Sequence, residues 1–118
     1  MADSSVEKIN APVVSPLVVE YIDAKTKVSN SVLTPGSIGT LAGSDLKFNT
    51  ANVNEGVFFI DSAGTETKAE IYSDVFDTEV KFVVPALAAS IYTVELRKAY
   101  TKDNVIRIGT LDDNLTVS

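Results

Sequence analysis

Residues 78–96 read Thr78-Glu-Val-Lys-Phe-Val-Val-Pro-Ala-Leu-Ala-Ala-Ser-Ile-Tyr-Thr-Val-Glu-Leu96, which encodes two β-strands and the crossing between them. In the first half, Val80, Phe82 and Val84 occupy every second position. This period of two places one face of a strand in a core. Pro85 has no N–H to donate to a neighbouring strand, so the chain must leave the sheet there. We therefore predict a half-buried strand that ends at the proline.

The second half of the stretch resumes the alternation after the crossing. Leu87, within the crossing, can pack against the core. Tyr92, Val94 and Leu96 then occupy every second position again. A Tyr at the start of such a strand resembles the tyrosine corner of immunoglobulin-like sandwiches, where the phenol bonds the backbone of the preceding turn. The stretch therefore predicts two strands of an immunoglobulin-like sandwich joined through a tyrosine corner.

The rest of the chain reads as short strands separated by turns, without a sustained helical period. Strands are predicted at 17–22, 28–33, 38–48, 57–60, 66–72, 91–100, 105–108 and 115–117. The two glycines within 38–48 suggest a bulge or a close backbone approach. Thr34-Pro-Gly-Ser37 predicts a tight turn with a positive φ at Gly36. This spacing favours an all-β Greek-key sandwich of about seven strands over 16–118, preceded by a flexible linker at 1–15.

Composition excludes most catalytic chemistry. The 118 residues contain no Cys and no His, which removes thiolate nucleophiles, imidazole bases and the usual zinc ligands. We therefore predict a protein that is not an enzyme and holds no cofactor and no metal. The opening Met1-Ala-Asp-Ser-Ser5 does not resemble an export signal, and no run is long enough to span a bilayer. A cytoplasmic location is the expectation.

The charge is acidic overall but unevenly distributed. The net charge is −6 at pH 7, which repels DNA at long range. A predicted hairpin nevertheless contains four basic side chains and one aromatic ring: Arg97, Lys98, Tyr100, Lys102 and Arg107. Such residues could stack on the bases of a nucleic acid and bind its phosphates, or they could contact an acidic protein partner. Because adjacent strand residues alternate faces, Arg97 and Lys98 should point to opposite sides. A solvated edge hairpin protected by lysine is the simpler interpretation.

Several stretches together resemble a known bacterial module. They are Ser31-Val-Leu-Thr-Pro-Gly-Ser-Ile-Gly-Thr-Leu-Ala-Gly-Ser-Asp-Leu-Lys-Phe48, Glu55-Gly-Val-Phe-Phe-Ile60, Val84-Pro-Ala-Leu-Ala-Ala89 with Tyr92-Thr-Val-Glu-Leu-Arg97, and Arg107-Ile-Gly-Thr-Leu-Asp-Asp-Asn-Leu-Thr-Val117. They are similar to the immunoglobulin-like C-terminal domain of unknown function that follows an HU-like DNA-binding domain, and the first also resembles IPT/TIG domains. The resemblance implies that DNA is bound by a domain absent from this chain, and that the whole protein is nucleoid-associated. The family usually has Gly at the position of Ser90.

Two kinds of acidic site are weaker candidates. Asp61 and the Asp112-Asp113 turn offer oxygen ligands for calcium, but neither follows the spacing of a calcium-binding loop. Asx-capped turns explain the same residues. A glycosidase-type pair of carboxylates would require two acids across one cleft, and no pattern in the sequence places them there.

These observations predict a non-enzymatic interaction module that acts mainly through protein–protein contacts. The first alternative is an accessory nucleic-acid contact through the basic hairpin 97–107. The second is a carbohydrate-binding or surface module, against which the absence of Trp argues. The expected state is a monomer or a weak homodimer, since exposed edge strands can pair.

Overall fold

A computed structural model describes residues 15–99 and 105–117. This part of the chain contains nine strands: β1 Leu17–Asp23, β2 Ile38–Ser44, β3 Gly56–Ile60, β4 Glu66–Lys68, β5 Tyr72–Val75, β6 Glu79–Val83, β7 Ser90–Ala99, β8 Ile106–Thr110 and β9 Leu115–Val117. The predicted linker falls almost wholly on residues 1–14, which lie outside the described residues. The predicted hairpin turn at 101–104 lies outside them as well.

Two antiparallel sheets form the described part of the molecule. One has the strand order β1-β2-β6-β5, and the other has the order β9-β7-β3-β4, with β8 also paired to β7. Strand β7 pairs with β9 through its first residues and with β8 through its last, so β8 and β9 share one edge of that sheet. The all-β sandwich predicted from the sequence is confirmed. The described residues contain nine strands rather than about seven, partly because β8 and β9 both pair with the same side of β7.

The core follows the alternation in the deciding stretch. Val80, Phe82, Val94 and Leu96 are fully buried between the sheets, and Leu87 packs against them from the crossing. The other large side chains without exposed surface are Tyr21, Leu41, Leu46, Val57, Phe59 and Leu115. Burial of each such side chain stabilises the fold by about 1.5–3 kcal/mol before ordering costs.

The tyrosine corner is present as predicted. The hydroxyl of Tyr92 donates a hydrogen bond of 2.7 Å to the carbonyl oxygen of Ala88, in the crossing four residues earlier. Strand β6 ends at Val83, two residues before Pro85. Ser90, where the resembled family has Gly, begins β7 without a positive φ. The serine therefore imposes no backbone strain there.

Strand β2 is shaped by its two glycines. A Cβ at Gly39 would lie 2.6 Å from the ring of Tyr21, and one at Gly43 would collide with the carbonyl oxygen of Leu17 in β1. The predicted close approach is thus confirmed, with a bulge in β1 opposite. The strand predicted at 38–48 ends at Ser44, and Asp45 then has a φ of +58°.

The predicted single strand at 66–72 is wrong, because the chain changes sheets within it. The N–H of Ala69 makes a last bond to Val57 in β3, and the carbonyl of Ile71 accepts a bond from Val83 at the end of β6. Strands β4 and β5 therefore belong to opposite sheets. A polar–apolar alternation reports which residues face a core, but either sheet can supply that core.

The segment after β1 also crosses from one sheet to the other. Ser31–Leu33 runs parallel to β9, with bonds of 2.9 Å from Leu33 N to Thr116 O and from Thr116 N to Ser31 O. The turn at Thr34–Ser37 follows, closed by a bond of 3.0 Å from Ser37 N to Thr34 O. Gly36 has a φ of +84°, as predicted.

Candidate functional site

The three basic residues of the predicted hairpin that the structure describes, Arg97, Lys98 and Arg107, do not form one patch. Arg97 pairs with Ile108 on the outer face of the five-stranded sheet, whereas Lys98 pairs with Arg107 on the side that faces the other sheet. The predicted alternation of Arg97 and Lys98 is therefore confirmed. Tyr100 and Lys102 lie outside the described residues, so the hairpin as a binding surface stays a prediction.

Both β7 cations are held by carboxylates. The guanidinium of Arg97 donates two bonds, of 3.0 and 2.9 Å, to Glu66, and its Nη2 and Nε lie 3.0 and 3.1 Å from Glu95. Lys98 Nζ contacts Asp45 Oδ1 at 2.7 Å and is 14% exposed. The hydrogen bonds with Glu66 raise the pKa of Arg97 and lower that of Glu66. These pairings reduce the positive charge available to a phosphate.

Arg97 also covers an aromatic ring on the outer face. Its guanidinium carbon lies 4.0 Å from the ring centroid of Phe58, and Lys68 Nζ lies 5.9 Å from the same centroid. Phe58 is consequently 8% exposed although it points away from the core. Cation–π contacts of this kind hold both partners in place.

A closed loop lies beside this stack and is ordered by a buried acid. Glu55 is 4% exposed, and its two carboxylate oxygens accept bonds from Asn49 N at 3.2 Å and Asn52 Nδ2 at 2.8 Å. Lys68 Nζ donates to the carbonyls of Asn52 and Val53 at 3.2 and 3.1 Å. The loop presents Val53 with its side chain 77% exposed. An exposed aliphatic residue is therefore held by an extensive set of hydrogen bonds.

These groups line one open groove of ≈ 470 Å³, which we call the Phe58 face. It consists of Val53, Asn54, Phe58, Glu66, Arg97, Ile106 and Ile108. Ile108 is 47% exposed, and the ionic groups at the centre are already paired. The arrangement can bury an apolar surface without leaving a charge unpaired. It offers no described Cys, His or activated hydroxyl for chemistry.

Sequence reasoning found Arg97 of this face but not its partners. The apolar run at 57–60 predicts a strand, but it does not reveal the cations that lie over Phe58. Glu55 and Glu66 are two of the seven acids in residues 55–79, and their charge alone does not set them apart from the other five. The local signal that points to the closed loop is a Glu that directly follows an Asn-rich segment, because amide and carboxylate side chains can bond one another within such a loop.

A second polar cluster is buried at the end of β1. Asp23 has no exposed surface, and its Oδ2 accepts bonds from Thr26 N at 2.9 Å and from the hydroxyls of Thr26 and Thr34 at 3.0 Å each. Burial alone would raise the pKa of Asp23, but these bonds together lower it below the ordinary value of 3.8. Burial and then the charge of Asp23 raise the pKa of Tyr21. The cluster joins the end of β1 to Thr34, which directly follows the segment that pairs with β9.

Asp61, one of the candidate calcium ligands, has a structural role. Asp61 Oδ1 accepts bonds of 2.9 Å from Ala63 N and Thr65 N, which caps the turn before β4. Within 15–99 and 105–117, no three acids gather closely enough to hold a metal ion. No helix of that part of the chain is long and apolar enough to cross a membrane.

Comparison with known proteins places the fold in a family. The model of the "Domain of unknown function (DUF4469) with IG-like fold" matches residues 18–108. A similar solved structure comes from Bacteroides vulgatus and is provisionally described as a bacterial DNA-binding protein, with a TM-score of 0.68 and 19% identity. The alignment covers 84% of this chain and 45% of that one, so this chain spans less than half of that neighbour. No curated protein matches the sequence. The match over residues 18–108 shows that this chain belongs to the family of domains of unknown function with an immunoglobulin-like fold.

Proposed function

We propose that this domain is a non-enzymatic protein-contact module, and that its partner is a folded protein with an apolar, uncharged surface that covers the Phe58 face. By resemblance to modules that follow an HU-like domain, it works within a bacterial DNA-binding protein. The description of the Bacteroides vulgatus neighbour agrees with that setting. The alignment covers 45% of that neighbour, which supports a setting in which DNA is contacted by a part of it that this domain does not match.

The observation that carries the proposal is the ordered presentation of apolar side chains around a paired arginine. Val53 is 77% exposed at the tip of the loop that Glu55 and Lys68 hold. Arg97 lies over the ring of Phe58, and its charge is balanced by Glu66 and Glu95. Aromatic residues and Arg are enriched where protein interfaces are buried. A surface already ordered before binding loses less side-chain entropy when a partner covers it.

Site-specific photocrosslinking in the cells from which the chain comes tests this proposal. A photoreactive residue at position 53 should crosslink to one protein, and Ile108→Lys should remove the product, because it places a charge in the buried centre of the interface. A photoreactive residue at Lys25, in the exposed turn after β1, serves as the matched control. No specific product at position 53, or the same products at both positions, would contradict a contact through this face.

The competing hypothesis is an accessory contact with nucleic acid through the hairpin 97–107. A titration of the isotopically labelled domain with short duplex DNA at low salt separates the two. We expect no shifts in β7 and β8, since Arg97 and Lys98 are paired with acids. Shifts confined to 97–107 that disappear as salt rises would favour nucleic acid instead. Retention on a polysaccharide resin would favour the carbohydrate alternative.

A further inference from the structure

The four-stranded sheet ends in a strand with unusual outer residues. Strand β5 is outermost in the order β1-β2-β6-β5, and among the described residues its only strand partner is β6. Val80 and Phe82 of β6 face the core, so the intervening positions of β6 face outward. Asp74 of β5 pairs with Lys81 of β6 and therefore lies on the same outer face.

Two large apolar residues flank β5 and are exposed. Ile71 is 63% exposed and Phe76 is 55% exposed. Both are fixed to the sheet, because Ile71 O accepts a bond of 2.9 Å from Val83 and Phe76 N donates one of 2.8 Å to Glu79. Edge strands are ordinarily protected by charges and bulges, and β5 has a register shift after Tyr72. Protection of an edge strand against unwanted pairing explains the bulge, but it does not explain why Ile71 and Phe76 are exposed beside that strand. We call these two residues the anchors.

The charge around these anchors is strongly acidic. Residues 70–79 contain four acids, Glu70, Asp74, Asp77 and Glu79, and no base. Lys81, the basic residue opposite Asp74, has its Nζ 3.9 Å from Oε1 of Glu79. The side chains of Lys81 and Glu79 are 40% and 42% exposed. Such a pair compensates little charge in water. Two copies of this edge would bring like charges together, which disfavours a second copy of the chain as the occupant.

We propose that residues 70–77, which we call the β5 edge, bind an extended basic segment of another protein by strand addition. The segment extends the four-stranded sheet through backbone hydrogen bonds, as in other β-augmentation complexes. Its apolar residues contact Ile71 and Phe76, and its Lys or Arg residues meet Glu70, Asp74 and Asp77. The anchors are five residues apart, about 16 Å in extended chain, so six residues of the partner span them. The β5 edge is separate from the Phe58 face, and this proposal does not depend on the function proposed above.

A peptide titration tests the proposal with a defined probe. The probe is an acetylated and amidated hexapeptide that alternates Lys and Val, and its matched control replaces every Lys with Glu. Backbone amide shifts of the labelled domain should be confined to residues 70–77 and to neighbouring β6, with a Kd of about 1 mM or below. Affinity should fall several-fold between low and physiological salt, because the contacting charges are exposed. The Glu peptide should give no shifts.

Variants separate the two contributions. Asp74→Asn combined with Asp77→Asn should weaken binding about fivefold, and Phe76→Ala should weaken it by a similar factor. Ile108→Ala, on the Phe58 face, is the control and should bind as the wild type does. Absence of shifts with the Lys peptide, equal binding of both peptides, or shifts confined to another surface would overturn the proposal. If Phe76→Ala unfolds, the paired Asn variant alone decides, since unchanged affinity there contradicts the charge contribution.

Discussion

Asp23 and Glu55 are both buried carboxylates that fix a loop, yet they do so in different ways. Asp23 receives three bonds on a single oxygen, and its Oδ1 and the hydroxyl of Tyr21 are buried with no described partner within hydrogen-bonding distance. Glu55 uses both oxygens, one for Asn49 and one for Asn52. Asp23 connects segments eleven residues apart, from β1 to Thr34, whereas Glu55 closes a loop of its immediate neighbours. The first acid supports the joining of the two sheets, and the second supports the shape of one surface.

The largest effect is expected for Asp23→Ala. It removes three charge-assisted bonds from a buried carboxylate, so the Thr26 N–H and the hydroxyls of Thr26 and Thr34 lose their acceptor. We expect a loss of about 3 kcal/mol in the free energy of unfolding, measured by chemical denaturation. Asp112→Ala, in the exposed turn before β9, should change it by less than about 0.5 kcal/mol. Equal losses in the two variants would contradict the role assigned to Asp23.

Glu55→Ala should cost less, about 2 kcal/mol, because water can reach the loop that it releases. Hydrogen exchange distinguishes the two acids further. Loss of Glu55 should accelerate exchange at Asn49 while Thr116 in β9 remains protected. Loss of Asp23 should accelerate exchange at Leu33 and Thr116. If both variants accelerate exchange at the same amides, the distinction between a local and a sheet-joining acid is wrong.

Tyr92→Phe supplies a neutral hydrogen bond for comparison. The variant loses the bond of 2.7 Å to Ala88 O, and the carbonyl that remains belongs to an exposed residue. We expect a loss of about 1 kcal/mol, since water can replace the phenol. A loss as large as that of Asp23→Ala would indicate that burial of the bond, rather than the charge of the acceptor, determines the cost.

The smallest difference is expected in acid. Burial opposes ionisation of Asp23, but the bonds from Thr26 and Thr34 lower its pKa below 3.8 in the folded protein. An acid with a lowered folded-state pKa contributes stability above its unfolded-state pKa, and that contribution is lost as the pH falls through the lowered value. The unfolding free energy of wild type should therefore decline more steeply below pH 4 than that of Asp23→Asn. Parallel pH profiles for the two proteins would contradict this assignment.

The features that could be predicted from the sequence are those that depend on near neighbours. The alternation through Val80 and Phe82, the bond from Tyr92 to the preceding crossing and the positive φ of Gly36 each arise within a few residues. Local preference and local geometry decide them. Arg97 was identified from its position in a basic hairpin, which is local information too.

The features that could not be predicted depend on contacts between distant residues. Glu66 meets Arg97 across 31 positions, and Lys98 meets Asp45 across 53. Composition shows that opposite charges exist but not which ones meet. The change of sheet after Lys68 is of the same kind, since the pattern continues while the partner strand changes. Glu55 looked like one of many surface acids because burial of a Glu is set by the fold around it.

The parallel pairing of Ser31–Leu33 with β9 has a mechanical consequence. If the chain is pulled from both ends of the described domain, β1 can detach from β2, because β1 is the outermost strand of its sheet. The force then reaches the Leu33 and Thr116 bonds along the strand direction, so these bonds are loaded together rather than opened one by one. Resistance to force should therefore concentrate in this short parallel contact, which lies just beyond the crossing that Asp23 secures.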